Sequence, residues 1–261
     1  MMRIPESHPR YESLVTREKM VNAVKDNIIV QEGLIAHGRG EAYDYIMGEK
    51  TKKWAIQAIK ASAVTLMNAS YPVISVNGNA AALAGKELVE LSKIIPAKLE
   101  VNLFHRSPIR IRKICDYLRS MGATEVLGED AEKLIEGIEH SRSYSSPEGI
   151  IKADVVFVPL EDGDRAKALK AIGKKVICID LNPLSRTAIT SDITIVDNIT
   201  RAIPLLTEEI KKIKSGTEKE LEEANAFATE YSNRDVLKEA VEGIIEYLGE
   251  FNPVRSDTAN I

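Results

Sequence analysis

Residues 71–91 read YPVISVNGNAAALAGKELVEL and join a predicted strand to a predicted helix through one tight polar turn. Val73, Ile74 and Val76 form a short apolar run, which is typical of a buried parallel strand. After Asn77-Gly78-Asn79, apolar residues recur at helical spacing. An Asn-Gly pair also occurs in hairpins, but no second strand pattern follows it. Because free N–H groups and the dipole at a helix N-terminus attract anions, this turn is either an anion site or a plain strand-to-helix connection.

The composition indicates one substantial α/β domain. The chain has 261 residues, a net charge of −4 and two cysteines, so it has no overall basic field for nucleic acid. Cys115 falls in a predicted helix and Cys178 in a predicted strand, which favours buried thiols over a disulfide or a metal site. No apolar leader and no run of membrane-spanning length is present. We therefore expect a cytoplasmic protein that contacts neither nucleic acid nor membrane.

A predicted helix and a charged segment precede the central unit. Apolar spacing predicts a helix that is capped by Ser13 and stops at Gly33, with Arg17 off its apolar face. Residues 33–51, GLIAHGRGEAYDYIMGEKT, are predicted as a loop punctuated by glycines. Within this segment, Gly38-Arg39-Gly40 resembles the start of the GxGxxG motif. Tyr43 occupies the position of the third glycine, so the dinucleotide fingerprint fails.

The charged residues of this predicted loop are candidate ligand contacts. His37, Arg39, Glu41 and Asp44 lie between its glycines, and binding groups often gather on loops held by a rigid scaffold. An ordinary solvated turn would explain the same composition. Thr51 is predicted to cap the helix that comes next.

Strands and helices then alternate, which implies a parallel, right-handed, doubly wound sheet. Strands are predicted at 99–104, 124–127, 154–158, 176–179 and 193–196, and helices at 109–121, 130–138, 164–172, 203–213 and most of 218–249. We divide the chain into N-terminal helices with the charged glycine loop (1–70), a Rossmann-like α/β core (71–214) and a C-terminal helical tail (215–261). We expect these three segments to form one integrated domain.

Common phosphate and metal motifs do not fit. From Gly78 to Gly85-Lys86 six residues separate the glycines where a P-loop has four, and Glu87 stands where Ser or Thr would hold magnesium. The four histidines lack zinc-ligand spacing. The acidic run 161–164 could hold magnesium, but turn and helix-cap chemistry explains it better. The sequence therefore leaves the metal ligands unassigned.

Polar residues follow two successive predicted strands in the C-terminal half. Asp180 and Asn182 come after the first strand, and Asp197-Asn198 after the second. Ligands of open α/β sheets bind outside the carboxyl ends of strands, so Asp180 and Asn182 are placed to bond a ribose or a base. Ser185-Arg186-Thr187 offers a guanidinium and hydroxyls to phosphate. Each motif alone could be turn chemistry; together, with arginines elsewhere in the chain, they favour a polyanionic nucleotide.

Five motifs then carry a more specific resemblance. They are, in chain order, IPESHPRY (4–11), GLIAHGRGEAYDYIMGE (33–49), SVNGN (75–79), DLNPLSRTA (180–188) and VDNI (196–199). Together they span nearly the whole chain and resemble the archaeal 4-phosphopantoate–β-alanine ligases, also called phosphopantothenate synthetases. The second motif is far more specific than a Rossmann fingerprint.

The resemblance implies a Rossmann-like homodimer that joins 4-phosphopantoate to β-alanine with ATP in coenzyme A biosynthesis. It further implies an acyl-adenylate intermediate, with AMP and pyrophosphate leaving. Such a reaction gathers several negative charges in one site, and we expect a magnesium ion to offset part of them. Carried over by motif, the implied ATP contacts are Arg17, Arg39, Asp180, Leu181, Asn182, Arg186, Thr187, Asn198 and Ile199.

Other roles are hypotheses within that reaction. Arg17, Arg39 and Arg186 would clamp the triphosphate, and Arg39 would also stabilise the transition state. The turn Asn77-Gly78-Asn79 would hold phosphopantoate together with His105 and Arg106. The base that deprotonates the β-alanine ammonium is not assignable; His37 and Glu41 are candidates. Two alternatives stay open: an ATP-binding sensor without ligase activity, and a nicotinamide-dependent reductase, which the missing GxGxxG disfavours.

Overall fold

A six-stranded parallel sheet forms the centre of the computed structural model, which describes residues 5–8, 10–160 and 163–250. The strands are β1 (Pro72–Val76), β2 (Lys98–Val101), β3 (Val126–Leu127), β4 (Lys133–Leu134), β5 (Tyr144–Ser145), β6 (Val155–Val158), β7 (Lys175–Ile179) and β8 (Ile193–Ile195). The large sheet has the order β3-β2-β1-β6-β7-β8 with every neighbouring pair parallel, while β4 and β5 form a separate antiparallel pair. The predicted Rossmann-like α/β fold is confirmed.

Helices pack around this sheet and account for most of the other described residues. They are α1 (Tyr11–Lys25), α2 (Gln31–Ile46), α3 (Lys53–Met67), α4 (Gly78–Ile94), α5 (Pro108–Ser120), α6 (Gly163–Ala171), α7 (Arg186–Thr190), α8 (Ile199–Ser215), α9 (Glu218–Glu230) and α10 (Asn233–Glu250). No helix among the described residues has the length and apolar character needed to span a membrane.

The central strand β1 is buried on both faces, as its mostly apolar, β-branched run predicts. Its successive side chains enter different clusters: Ile74 packs with the large core, and Val73 packs with a second, smaller one. The large core also contains Met20 of α1 and Leu237 of α10. Alternation of side chains across a strand thus divides the interior into two layers. The division of the chain at residues 70 and 214 stays a prediction.

The chain order of the sheet creates a crevice between β1 and β6. From β1 the chain adds β2 and β3 on one side, then returns to add β6, β7 and β8 on the other. The crossovers leaving β1 and β6 therefore run in opposite directions. Ligands of such sheets bind at this switch point, beyond the carboxyl ends of the strands.

The predicted loop at 33–51 is wrong, because residues 31–46 form helix α2. Glycine disfavours a helix interior, but an ideal Cβ at Gly33 would lie 2.4 Å from Asn79 Oδ1. Glycine at this position therefore allows α2 to lie close to Asn79 and the start of α4. The preceding helix α1 is also shorter than predicted, ending at Lys25 instead of Gly33, and it is not capped by Ser13.

Two more local predictions are wrong. The region predicted as a helix at 130–138 contains β4, which pairs with β5. Thr51 does not cap α3, since its hydroxyl donates to Asp197 Oδ2 at 2.6 Å. In contrast, Ser107 caps α5, accepting from the Arg110 N–H at 3.3 Å. The acidic pair 161–162 and the tail residues 251–261 lie outside the described residues.

Candidate active site

A cavity of about 690 Å³ lies at the carboxyl edge of the sheet, within the usual size range of small-molecule sites. Loops after β1, β2, β6, β7 and β8 form it together with one side of α2. Most of the predicted site residues line it: His37, Arg39, Glu41, Asn77, Gly78, Asn79, His105, Asp180, Leu181, Asn182, Arg186, Thr187, Asn198 and Ile199. The predicted residues Arg17 and Arg106 do not line the cavity.

Helix α2 presents a stripe of residues to this cavity. Gly33, His37 and Gly40 recur at three- and four-residue spacing, which places them on one helix face. The Gly33 carbonyl accepts from Asn79 Nδ2 at 2.8 Å, and an ideal Cβ at Gly40 would lie 3.4 Å from Leu181 Cδ1. The small residues let the helix lie close to the turns after β1 and β7.

The turn after β1 joins the two halves of the sheet. Asn77 Oδ1 accepts from the Ala80 N–H at 2.9 Å and so caps α4. Its Nδ2 donates to the Leu160 carbonyl, beyond β6, at 3.0 Å. An ideal Cβ at Gly78 would lie 2.2 Å from the Ile28 carbonyl oxygen, so a larger residue would displace the turn. The N-terminus of α4 thus begins in the cavity wall, as an anion site requires.

Asp180 organises the turn after β7. Its carboxylate accepts from the Ser185 hydroxyl and from the Asn182 N–H, the latter at 2.9 Å. Burial raises the pKa of Asp180, and these hydrogen bonds and the charge of Arg39 oppose the rise. Ser185 in turn caps α7. A carboxylate fixed at the end of β7 is therefore available to hydrogen-bond a hydroxyl-bearing ligand.

Arg186 stands at the rim of the cavity. It pairs with Asp164 at 3.0 Å, Nη1 to Oδ1, and both side chains are largely exposed. Exposed pairs of this kind are weak. The guanidinium can therefore exchange Asp164 for an anionic ligand at little cost.

Arg17 affects the cavity indirectly, because it pairs with Glu41, which lines the cavity. Its Nε lies 3.2 Å from Glu41 Oε1, and this hydrogen bond raises the pKa of Arg17. Ser13 Oγ donates to the same carboxylate at 3.1 Å. Glu41 is thus held as a paired carboxylate. Arg17 would reach a ligand only by leaving this pair.

His37 has a different environment from Glu41. Its Nε2 is buried and has no hydrogen-bond partner among the described residues. Burial lowers the pKa of His37, so the imidazole is neutral at pH 7. His37 lines the cavity, and a neutral imidazole at such a position can accept a proton from a ligand.

Two arginines that the sequence reasoning missed line the cavity in the region expected of Arg106. Arg106 instead packs over the Tyr144 ring, 5.5 Å from its centroid. Arg110 lies in the first turn of α5, and Arg142 is buried with its Nε 3.1 Å from Asn102 Oδ1. Arg110 could have been found, because the first turn of a helix after a parallel strand lies at the sheet edge. Arg142 left no such signal in the polar loop that carries it.

The cysteines and carboxylates give no metal site. Cys115 and Cys178 are buried and free, and burial raises the pKa of the Cys115 thiol to about 12. Residues 5–8, 10–160 and 163–250 contain no cluster of three or more His, Cys, Asp or Glu that could hold a metal ion. The cavity is therefore lined by guanidinium, amide and imidazole groups and by the carboxylates of Glu32, Glu41, Asp180 and Asp197.

Comparison with known proteins gives a consistent result along the chain. The sequence profile of the family described as phosphopantothenate/pantothenate synthetase matches residues 54–247. Proteins from Thermococcus kodakarensis and Thermococcus onnurineus are 48% and 49% identical over 242 residues, which is 92% of each chain. A protein from Methanosarcina mazei is 48% identical over 95% of this chain and 96% of its own. All three are named 4-phosphopantoate–β-alanine ligase. This chain belongs to the phosphopantothenate/pantothenate synthetase family.

Proposed function

We propose that this protein is an ATP-dependent ligase that joins 4-phosphopantoate to β-alanine and forms 4′-phosphopantothenate for coenzyme A biosynthesis. One observation carries the proposal: a single cavity at the switch point brings together the motifs shared with such ligases and four arginines, Arg39, Arg110, Arg142 and Arg186. A reaction between ATP, a phosphate ester and a carboxylate needs this concentration of positive charge. The relatives that carry the ligase name cover nearly the whole chain.

The end of the cavity near β7 and β8 suits the nucleotide. Asp180 and Asn182 can bond ribose or base, Leu181 and Ile199 supply apolar surface, and Thr187 and Arg186 face toward phosphate. These are the positions at which open α/β sheets hold nucleotides. Arg39 comes from α2, which lies close to the turn after β7, so it can also contact the phosphates.

The other end of the cavity suits the phosphate ester. The turn Asn77-Gly78-Asn79 opens α4, whose N-terminus favours an anion. Arg110 and Arg142 replace Arg106 in the role expected from the sequence, and His105 lies beside them. Guanidinium groups bind phosphate oxygens through paired hydrogen bonds. We therefore place phosphopantoate between this turn and α5.

The magnesium ion would enter bound to ATP. Magnesium commonly takes phosphate oxygens, waters and one or two carboxylates, and a site without an acidic cluster fits that pattern. Bound in this way, the ion would supply charge compensation at the phosphates. The residues of this chain would orient the substrates and stabilise the charge that develops on them.

The chemistry follows in two steps. A phosphopantoate carboxylate oxygen attacks the α-phosphorus of ATP, and pyrophosphate leaves. The β-alanine nitrogen then attacks the acyl carbon, and AMP leaves as the amide forms. Arg39 stabilises the negative charge at phosphorus. His37 is better suited than Glu41 to take the ammonium proton, since Glu41 is already paired with Arg17.

The proposal also covers the setting of the enzyme. We propose a homodimer, as the resemblance of its motifs implies, and a cytoplasmic setting, which the two free, buried cysteines favour. Sedimentation of the purified protein at micromolar concentration tests the assembly, for which about 58 kDa is expected from a chain of 28.8 kDa.

The decisive experiment mixes the purified protein with ATP, magnesium, 4-phosphopantoate and β-alanine, and follows nucleotides and amide. AMP that appears only with both organic substrates, in equal amount to the amide, supports the adenylate route. ADP in place of AMP would keep the ligase and replace the adenylate with an acyl phosphate. ATP binding without turnover would overturn the ligase in favour of a sensor. Thermal stabilisation by NAD(P) but not by ATP would favour the reductase.

A further inference from the structure

Three charged residues join α2 to the start of α8 at the edge of the cavity. Arg201 donates to both carboxylate oxygens of Asp44, from Nη2 at 2.6 Å and from Nη1 at 3.1 Å. It also donates from Nε and Nη2 to Asp197 Oδ1, at 3.0 and 2.6 Å. Both carboxylates are buried, at 6% and 2% exposure. We call Asp44, Asp197 and Arg201 the charged triad.

Two further donors complete the hydrogen bonding of the triad carboxylates. Thr51 Oγ1 donates to Asp197 Oδ2 at 2.6 Å, and Asn198 Nδ2 donates to Asp44 Oδ2 at 2.8 Å. Two buried carboxylates near one arginine need such donors, because a buried charge without partners is strongly destabilising. The arrangement therefore has a defined geometry and resists displacement.

The triad fixes one end of α2, and the cavity turn fixes the other. Near the N-terminal end, Gly33 accepts from Asn79; near the C-terminal end, Asp44 binds Arg201. His37 and Arg39 lie between these two attachments. The position of their side chains relative to the nucleotide end of the cavity thus depends on both contacts.

Asn198 is held by the same contacts. Its Oδ1 accepts from the Thr200 N–H at 3.1 Å and caps α8, while its Nδ2 binds Asp44. Its own N–H donates to Asp197 Oδ1 at 2.7 Å. The side chain predicted to contact ATP is therefore already committed to joining α2 with α8.

We propose that Asp44 and Arg201 are positioning residues, which hold α2 against α8 so that Arg39 faces the nucleotide. Neither residue lines the cavity, so each would act through α2 and not by touching the ligand. The consequence for catalysis rests on the proposed ligase function. The consequence for nucleotide binding does not.

Asp44→Asn is the test variant. The substitution leaves Arg201 balanced by Asp197, so the fold is retained. The new amide N–H group would face Arg201 or Asn198, both of which donate there, and α2 would move away. Lys211→Met is the matched control, because Lys211 lies on the same helix α8 and pairs with Glu90 on α4 at 2.8 Å, on an exposed surface.

The measurement is calorimetric titration with magnesium-ATP, well below the unfolding midpoint of each variant. We expect Asp44→Asn to weaken ATP binding about tenfold and Lys211→Met to leave it unchanged. If Asp44 acts through Arg39, the Asp44→Asn, Arg39→Ala double variant binds ATP no more weakly than Arg39→Ala alone. Wild-type affinity in folded Asp44→Asn would overturn the proposal, and so would losses that simply multiply in the double variant.

Hydrogen exchange and ligase activity distinguish a positioning role of Asp44 and Arg201 from a simple loss of stability in the variants. Hydrogen exchange should rise in residues 31–46 of Asp44→Asn and stay unchanged in β1 and β7. Arg201→Lys keeps the charge but loses the paired geometry, and it should fall between wild type and Asp44→Asn in ATP affinity. If the wild type binds ATP without ligating, the proposed function fails. The coupling between Asp44 and Arg39 in ATP affinity can still be observed in that case. Ligase activity with no coupling would leave the function and remove the positioning role.

Discussion

At the residue scale, the cavity sets four arginines against four carboxylates, several of which are already paired or hydrogen-bonded within the protein. Asp180 is fixed by Ser185 and Asn182, while Glu41 is neutralised by Arg17. Arg39 has no carboxylate of this kind within salt-bridge distance among the described residues. It is therefore the cation whose charge is most directly available to a ligand.

Replacement of Arg39 tests this availability. Arg39→Ala should lower the ligation rate by roughly 10²–10³-fold, which is the typical effect of removing one preorganised donor to a developing charge. Steady-state measurement of AMP formation gives the rate. Arg112→Ala is the control, since Arg112 is an exposed α5 residue that pairs loosely with Glu129 at 3.6 Å. A rate for Arg39→Ala equal to that of the control would remove Arg39 from the mechanism.

Glu100 gives a prediction for stability. Burial raises the pKa of this β2 residue to about 7, although its carboxylate accepts from the Ser146 and Ile150 N–H groups. Between pH 4.5 and 7 the folded state then holds a proton that the unfolded state releases, so stability falls as pH rises. The free energy of unfolding should drop by about 3 kcal/mol across this range.

Denaturant unfolding at pH 4.5, 5.5, 6.5 and 7.5 measures that slope. Glu100→Gln resembles the protonated acid and should flatten it. Glu125→Gln serves as control, because Glu125 is about half exposed and pairs with Lys98 on the surface. A slope that Glu100→Gln leaves intact would assign the pH dependence to other groups.

The position of a single residue could be predicted from the sequence where the order of strands and loops alone determines it. Asp180 and Asn198 come directly after parallel strands, so their place at the carboxyl edge follows from the strand pattern. Arg142 was not predictable, because the segment between β3 and β6 has no periodicity that reveals its path. Arg106 and Arg110 lie four residues apart near the same sheet edge, and only the packing of Arg106 over Tyr144 distinguishes them.

At the scale of elements, the position of α2 governs the cavity. Its glycines differ in environment: an ideal Cβ at Gly33 would lie 2.4 Å from Asn79 Oδ1, whereas one at Gly38 would meet nothing within 4 Å. The two residues lie on the same helix and can be changed in the same way. Replacing each of them with alanine therefore distinguishes the effect of helix propensity on stability from the effect of close packing.

Gly38→Ala should raise the free energy of unfolding by about 0.5–1 kcal/mol, since alanine favours the helix. Gly33→Ala should lower it by about 1–3 kcal/mol through overpacking, and it should slow ligation by moving α2 off the Asn79 turn. Urea unfolding and AMP formation measure the two effects. Equal unfolding free energies and equal rates of AMP formation in the two variants would show that α2 can shift to accommodate a methyl group at residue 33.

Local sequence patterns misassigned α2 for a physical reason. Three glycines in eight residues, Gly33, Gly38 and Gly40, disfavour a helix by intrinsic propensity. Contacts with the turns after β1 and β7 compensate, and no sequence window contains both partners. The strands of the parallel sheet were easier to assign, because burial on both faces leaves a continuous apolar signal.

At the scale of the whole molecule, the C-terminal helix α10 contributes to the core. α10 packs against α3, and an ideal Cβ at Gly243 would lie 2.2 Å from Trp54 Cζ3. Trp54 is the only tryptophan of the chain and is 4% exposed. Its fluorescence therefore reports on the contact between the tail and the rest of the protein.

We expect tryptophan fluorescence and far-ultraviolet circular dichroism to give one coincident unfolding transition. Gly243→Ala should lower both midpoints together by a few degrees. Gly249→Ala should leave them nearly unchanged, because nothing lies within 4 Å of its ideal Cβ and its position next to the end of α10 makes the gain in helix propensity small. A fluorescence transition that precedes the dichroism change would show that the tail unfolds on its own.

The order of the strands has a consequence for the newly made chain. β1 pairs with β6, bringing Pro72 beside Val155, and the cavity also needs Asn198 and Ile199 beyond β8. A chain emerging from the ribosome can form β1, β2 and their helices early, yet the nucleotide end of the cavity is complete only when Asn198 and Ile199, beyond the last strand, have been translated. Closing so long a loop is slow and raises the contact order. We expect ribosome-bound chains that stop before β8 to bind no ATP, so that affinity for the nucleotide arises late in synthesis.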